Sequence, residues 1–140
     1  MSKFKCYLAG RMSNLTYEQM NGWRLEAKRL LYYYADGAIH TENPCDYYNF
    51  ELDPTTFSDS ECKSFDLWLV KNCDVVLVNL DFPDSIGTAI ELHMAQEWKI
   101  PVIGFGTAKN HPWIELSLTK KCTTMQEAVE HIINFYLLNK

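Results

Sequence analysis

DVVLVNLDFPDSIGTAIELHMAQEWKIPVIGFG, residues Asp74 to Gly106, decides the fold of this 140-residue chain. It opens with the apolar run Val75-Val76-Leu77-Val78-Asn79-Leu80, the pattern of a parallel strand buried on both faces. A polar turn, Asp81 to Ser85, follows. Gly87-Thr88-Ala89-Ile90-Glu91 then opens a helix that runs to about Trp98. Lys99 and Pro101 stop it, and Pro101 to Gly106 reads as the next strand. The stretch is one βαβ unit with short connections. Its reactive side chains fall after the first strand, where open α/β sheets bind ligands.

The rest of the chain extends this alternation. Lys3 to Ala9 is a first strand, followed at once by Gly10-Arg11-Met12. Thr16 and Gln19 have capping-box spacing and start a helix. Met20, Trp23, Ala27, Leu30, Leu31 and Tyr34 form its apolar stripe, and Gly37 closes it. Ala38 to Thr41 is a short strand. Glu42 to Phe57 reads as a long loop, a length often associated with function. Ser58 and Glu61 form a second capping box, and Cys62, Phe65, Leu69 and Cys73 supply the next stripe. Pro112 to Leu118 is expected to be an edge strand. Thr124 caps the last helix, whose Ala128, Ile132, Phe135 and Tyr136 are expected to face the core. The pattern predicts one domain, residues 1–140, an α/β doubly wound sheet of about five mostly parallel strands in the order 2-1-3-4-5, with helices on both faces. Its switch point lies between strands 1 and 3, so Gly10-Arg11-Met12 should face Asp84 to Gly87 across a crevice.

Composition narrows the function. A hydrophobic content of 47% and an aromatic content of 14% supply a proper core. A net charge of −5 argues against binding a nucleic acid polymer, which needs clustered Lys and Arg. No apolar run reaches membrane-spanning length, and no signal-peptide pattern opens the chain. The five cysteines include no CxxC pair and read as reduced, packed thiols, which suits a cytoplasmic protein. The four histidines lack metal-site spacing. Strand 1 is not followed by GxGxxG, and the chain has neither a Walker A sequence nor a GxSxG elbow. The expectation is therefore no cofactor and no metal.

At the crevice, Gly87 lets a ligand approach the backbone, and the free N–H groups of a helix start favour anions. Glu91, one turn further in, is either a nucleophile or base, or a carboxylate that merely pairs with a cation or with water. Asp84 and Ser85 compete as the helix cap. Arg11 is either an anion ligand or a surface ion-pair partner. Asp66 reads as catalytic or as a solvated surface charge.

These residues resemble the nucleoside 2-deoxyribosyltransferase-like superfamily, which includes nucleoside monophosphate N-glycosidases. The likeness is carried by Tyr7-Leu-Ala-Gly10, Phe65-Asp66-Leu67, Cys73 to Val76, Asp84 to Leu92 and Lys99-Ile-Pro-Val-Ile103, and it covers most of the chain. Gly87-Thr88-x-x-Glu91 is its most specific part. The resemblance implies that Glu91 attacks C1′ of the sugar and forms a glycosyl ester, which a second base or water resolves. It implies that Asp66 and Asp84 orient substrate and help protonate the departing base, and that Tyr7 positions the Glu91 carboxylate. Gly10, Ser85, Gly87 and Arg11 would surround the sugar or its 5′-phosphate. Asn43, Tyr47 and Tyr48 would shape base selection by stacking. Two departures stand out: Glu91-Leu92 continues with His93 where many relatives have Gly, and Arg11 follows Ala9-Gly10, which favours an anionic substrate.

The leading expectation is a 2-deoxyribosyltransferase acting on a nucleoside or nucleoside 5′-monophosphate and a purine or pyrimidine base. Relatives complete their sites with residues of a neighbouring subunit, so the resemblance also implies a homodimer or larger homo-oligomer. Alternatives are a nucleoside 5′-monophosphate N-glycosidase and a non-catalytic nucleotide-binding or sensor protein. A phosphoribohydrolase of the lysine-decarboxylase-like kind ranks lower, because Asp84-Ser85-Ile86 stands where that family has paired glycines.

Overall fold

The computed structural model describes residues 3–47 and 58–139. Five parallel strands form one sheet in the order β2-β1-β3-β4-β5, the order the alternation predicts. They are β1 (Phe4–Ala9), β2 (Ile39–Glu42), β3 (Val75–Asn79), β4 (Val102–Phe105) and β5 (Lys120–Cys122). The helices are α1 (Tyr17–Ala35), α2 (Asp59–Lys71), α3 (Ile86–Glu97), α4 (Pro112–Glu115) and α5 (Met125–His131), the last continuing as a π-helical turn over Ile132–Leu137.

The period of two along each strand divides the core into two layers. Phe4, Cys6 and Leu8 of β1, with Val75 and Leu77 of β3, face Ala27 and Leu31 of α1, Ala128 and Val129 of α5, and Ile132 of the π-helical turn. Tyr7, Ala9, Val76 and Val78 face Leu69 and Val70 of α2, Leu92 and Ala95 of α3 and Ile114 of α4. Each face of the sheet therefore buries its own helical stripe, and every residue of β3 is buried.

The expected helix starts are present. Thr16 with Gln19 and Ser58 with Glu61 form complete capping boxes, and the Thr124 hydroxyl accepts from the Glu127 N–H. Asp36, in the left-handed region at φ 50°, caps the end of α1 just before Gly37. At Gly104 an added Cβ would lie 2.8 Å from Leu80 Cδ1 and 3.1 Å from Leu118 Cδ2, so β4 passes against those side chains only because this residue has none.

Four local expectations need correction. Pro112 to Leu118 is not an edge strand: α4 occupies its first part, and the edge strand is Lys120–Cys122. Pro112 stands at the helix start and His111 Nδ1 accepts from the Trp113 N–H, while Ile114 and Ser117 are buried at helical rather than alternating spacing. Phe135 is 54% exposed and stacks on His131 instead of entering the core, whereas Tyr136 packs against it. Tyr34 leaves the buried stripe of α1 near that helix's end and is also exposed. The long loop begins later than Glu42, which belongs to β2 and is followed by a 3-10 turn over Pro44–Asp46. Tyr48 and the rest of that loop to Phe57 lie outside the described residues.

Candidate active site at the switch point

Ala9 of β1 lies opposite Val78 of β3, so the chain leaves both strands side by side at the switch point. A cavity of about 580 Å³ opens there. The β1–α1 turn supplies one wall, from Gly10 through Met12 to Leu15. One face of α2 supplies another through Asp59, Cys62, Lys63, Asp66 and Leu67, and the first turns of α3 supply Ser85, Gly87, Thr88, Ile90 and Glu91.

Glu91 is the chemical centre of this space. Its Oε2 accepts a hydrogen bond from the Tyr7 hydroxyl at 2.5 Å, from beneath the cavity, where Tyr7 is completely buried. Burial raises the Glu91 pKa from its ordinary 4.5 to about 8. The Tyr7 hydrogen bond opposes that rise, the negative charge of Asp66 adds to it, and the positive charge of Arg24 opposes it. Burial and then the Glu91 carboxylate push the Tyr7 phenol well above its ordinary value. A carboxyl held near neutrality by its surroundings, open to a cavity on one side and hydrogen-bonded on the other, is arranged for nucleophilic or proton-transfer work.

The start of α3 presents polar groups to the same space. The Ser85 hydroxyl accepts from the Thr88 N–H and is therefore the helix cap, which decides its competition with Asp84. Asp84 adopts φ 63°, a region that Asp tolerates better than most residues. Its Oδ1 accepts from the His111 N–H at 2.7 Å, and its own N–H donates to Asn110 Oδ1. Asp84 thus ties the β3–α3 turn to the segment before α4 and does not line the cavity, whereas Ser85 does. Thr88 is buried, and among the described residues its hydroxyl has no hydrogen-bond partner. A Cβ added at Gly87 would meet nothing within 4 Å.

The remaining expected site residues divide. Gly10 lines the cavity, and an added Cβ there would come within 2.8 Å of Trp23 Cζ2, so close packing of α1 requires the glycine. Asp66 lines the opposite wall. Arg11 does not face the cavity; its Nε donates to Ser13 O at 2.9 Å. The cation on the cavity wall is instead Lys63. Asn43 is buried in a network in which it donates to Asn21 and accepts from the Cys45 N–H. Tyr47 donates to Glu42 Oε2 and meets Phe65 edge-on, away from the cavity lining.

Arg24 escaped the sequence reading. It is 1% exposed and donates to the carbonyls of Leu8 (3.2 Å), Gly10 (2.9 Å) and Met20. The available signal was its place in the apolar stripe of α1, at helical spacing from Met20, Ala27 and Leu31. Among the described residues, no group of three or more His, Cys, Asp or Glu side chains is placed to hold a metal ion, and no helix is long and apolar enough to cross a membrane.

The sheet order and this cavity define a doubly wound α/β fold with a site at its switch point, and solved structures share that fold. A conserved protein from Enterococcus faecalis superposes with a TM-score of 0.74 at 19% identity, covering 95% of this chain and 99% of the other. A 2-deoxyribosyltransferase from Bacillus psychrosaccharolyticus gives 0.63 at 21% identity over 89% and 90% of the two chains. A CMP N-glycosidase from Clostridium botulinum gives 0.56 at 14% identity over 94% and 99%. No family model matches the sequence, and neither does any curated protein.

Proposed function

We propose that the protein cleaves or exchanges the N-glycosidic bond of a (deoxy)nucleoside or nucleoside 5′-monophosphate, with 2-deoxyribosyl transfer as the leading reaction. The observation that carries this reading is the Tyr7–Glu91 pair at the floor of the cavity. A Glu91 carboxylate oxygen attacks C1′ as the C1′–N bond breaks and its electron pair leaves with the base. Asp66, on the facing wall, orients the base and assists its protonation. The resulting ester is resolved when a nitrogen of a second base, or water, attacks C1′ and the carboxylate is released. Each step inverts C1′, so the overall result is retention. Tyr7 directs the carboxylate, and its hydrogen bond favours the ionised form that attack requires.

The start of α3 favours a 5′-monophosphate over a plain nucleoside. The open backbone at Gly87 and the Thr88 hydroxyl, unpartnered among the described residues, lie about one turn from Glu91 on the cavity wall, with Ser85 further out at the positive end of the helix. Lys63 adds a cation to the facing wall. The resemblance that suggests this chemistry also suggests a homo-oligomer, and the free cysteines suit a cytoplasmic setting.

The test is incubation of wild type and Glu91→Ala with deoxynucleosides and deoxynucleoside 5′-monophosphates, with and without a second free base, followed by chromatography. Base release or exchange by wild type alone supports the proposal, and dependence on the acceptor base distinguishes transfer from hydrolysis. Substrate binding by both proteins with no turnover by either would make the protein a nucleotide-binding module.

A further inference from the structure

Arg24 is a buried cation whose surroundings do not follow from packing alone. Nε, Nη1 and Nη2 each donate to a main-chain carbonyl, at Leu8, Met20 and Gly10 respectively, and the guanidinium lies 4.6 Å from the centroid of the Trp23 ring. Among the described residues no carboxylate forms an ion pair with it. Burying a charge is costly even where carbonyls satisfy its donors. Two of the three carbonyls flank Ala9 at the end of β1, the strand that carries Tyr7.

We propose that Arg24 is a positioning residue for the Tyr7–Glu91 pair: it locks the end of β1 through the Leu8 and Gly10 carbonyls and holds a buried positive charge against the strand that carries Tyr7. The groups that act on Glu91 come from three elements. Tyr7 on β1 and Arg24 on α1 favour its ionised form, and Asp66 on α2 opposes it. Asp59 and Lys63 on α2 line the same cavity, while His93, on α3 itself, is exposed. Arg24 is thus the buried cation that offsets Asp66, and the guanidinium fork combines that charge with fixed strand geometry. The catalytic consequence rests on the glycosidic reading above, but the effect on the Glu91 carboxyl does not.

The experiment is an NMR pH titration of the Glu91 side-chain carboxyl in protein labelled with carbon-13 at glutamate, assigned by its loss in Glu91→Gln. Wild type is compared with Arg24→Gln, which keeps donors but not charge, and Arg24→Lys, which keeps charge but not the fork. Arg24→Gln is expected to raise the titration midpoint by at least about half a pH unit, and Arg24→Lys to recover most of that displacement. An unmoved midpoint in Arg24→Gln, or equal displacement in both variants, overturns the proposal. Should Arg24→Gln fail to fold in a thermal melt, Arg24→Met takes its place as the neutral variant: a midpoint raised by more than about half a unit supports the proposal, and one near that of wild type overturns it. Turnover assays on the same proteins keep the two readings separate. A displaced midpoint with no base release by wild type sinks the glycosidic reading alone, whereas base release with an unmoved midpoint sinks the role of Arg24 alone.

Discussion

Replacing Glu91 with Gln should stabilise the fold, and by an amount that grows with pH. The carboxyl titrates near 4.5 in an unfolded chain and at about 8 here. The folded protein therefore holds a proton that the unfolded chain releases, and stability falls as pH rises from about 4.5 to about 8. At about 1.4 kcal/mol per pH unit, the full cost increases by about 3.5 kcal/mol between pH 5 and pH 8. The cavity admits water to one side of the carboxyl, so about half of that, roughly 2 kcal/mol, is the expected difference. Gln keeps the acceptor for the Tyr7 hydroxyl and does not titrate. For a domain of this size the gain corresponds to a Tm about 6 °C higher than wild type at pH 8, with little difference at pH 5. Thermal melts of both proteins across this pH range measure it. A Tm difference that stays constant with pH, or a wild type favoured at pH 8, would refute the burial of an ionising carboxyl.

Three further outcomes follow from the same geometry. If Glu91 attacks as the carboxylate, kcat/KM should rise with pH towards about 8, and the two neighbours should move that limb in opposite directions. Tyr7→Phe removes a hydrogen bond to the charged form and should shift it to higher pH, while Asp66→Asn removes a like charge and should shift it lower; a pH–rate series checks both. Gly87→Ala should leave Tm unchanged or slightly higher, since a Cβ meets nothing there and Ala favours a helix, yet raise KM several-fold because the residue lines the cavity. Gly104→Ala, remote from that lining, should destabilise by about 1–3 kcal/mol in urea denaturation through contact with Leu80 and Leu118.

The sheet was legible because the strongest signals in the sequence are those of doubly buried strands. Val75 to Leu80 has one reading, and capping boxes at Thr16 and Ser58 mark where the intervening helices begin. Strand order then placed the crevice, and Glu91, Asp66, Gly10, Ser85 and Gly87 line it. The segment from Pro112 to Leu118 was misread because four residues are too few for periodicity to separate a helix from a strand, and the side-chain cap from His111 leaves little trace in composition. Arg11, Asn43 and Tyr47 were singled out by residue type and chain position, but side-chain direction in turns depends on contacts that a linear pattern does not carry. Arg11 bends back to Ser13, and Asn43 satisfies Asn21. Lys63 and Arg24 were legible in principle: each occupies a helical stripe beside residues already marked, one facing the cavity and the other the core.

The locally unfavourable features of this fold converge on its switch point, and that convergence favours chemistry over passive scaffolding. Glu91 carries a carboxyl whose ionisation the site resists, and among the described residues Thr88 buries a hydroxyl without a hydrogen-bond partner and Arg24 buries a charge in no ion pair. Asn14 and Asp84, on turns either side of the cavity, hold left-handed backbone. A domain maintained only for its core would gain stability from a neutral or apolar residue at several of these positions. A nucleotide-binding module has use for the Thr88 hydroxyl and the start of α3, because both suit an anion. It has no evident use for a buried carboxyl one turn deeper, whose ionisation the site resists and whose charged form would oppose the same ligand. The proposed nucleophile, meeting C1′ while an anion is held one turn away, would account for both features together, and for the tyrosine and arginine that favour its charged form.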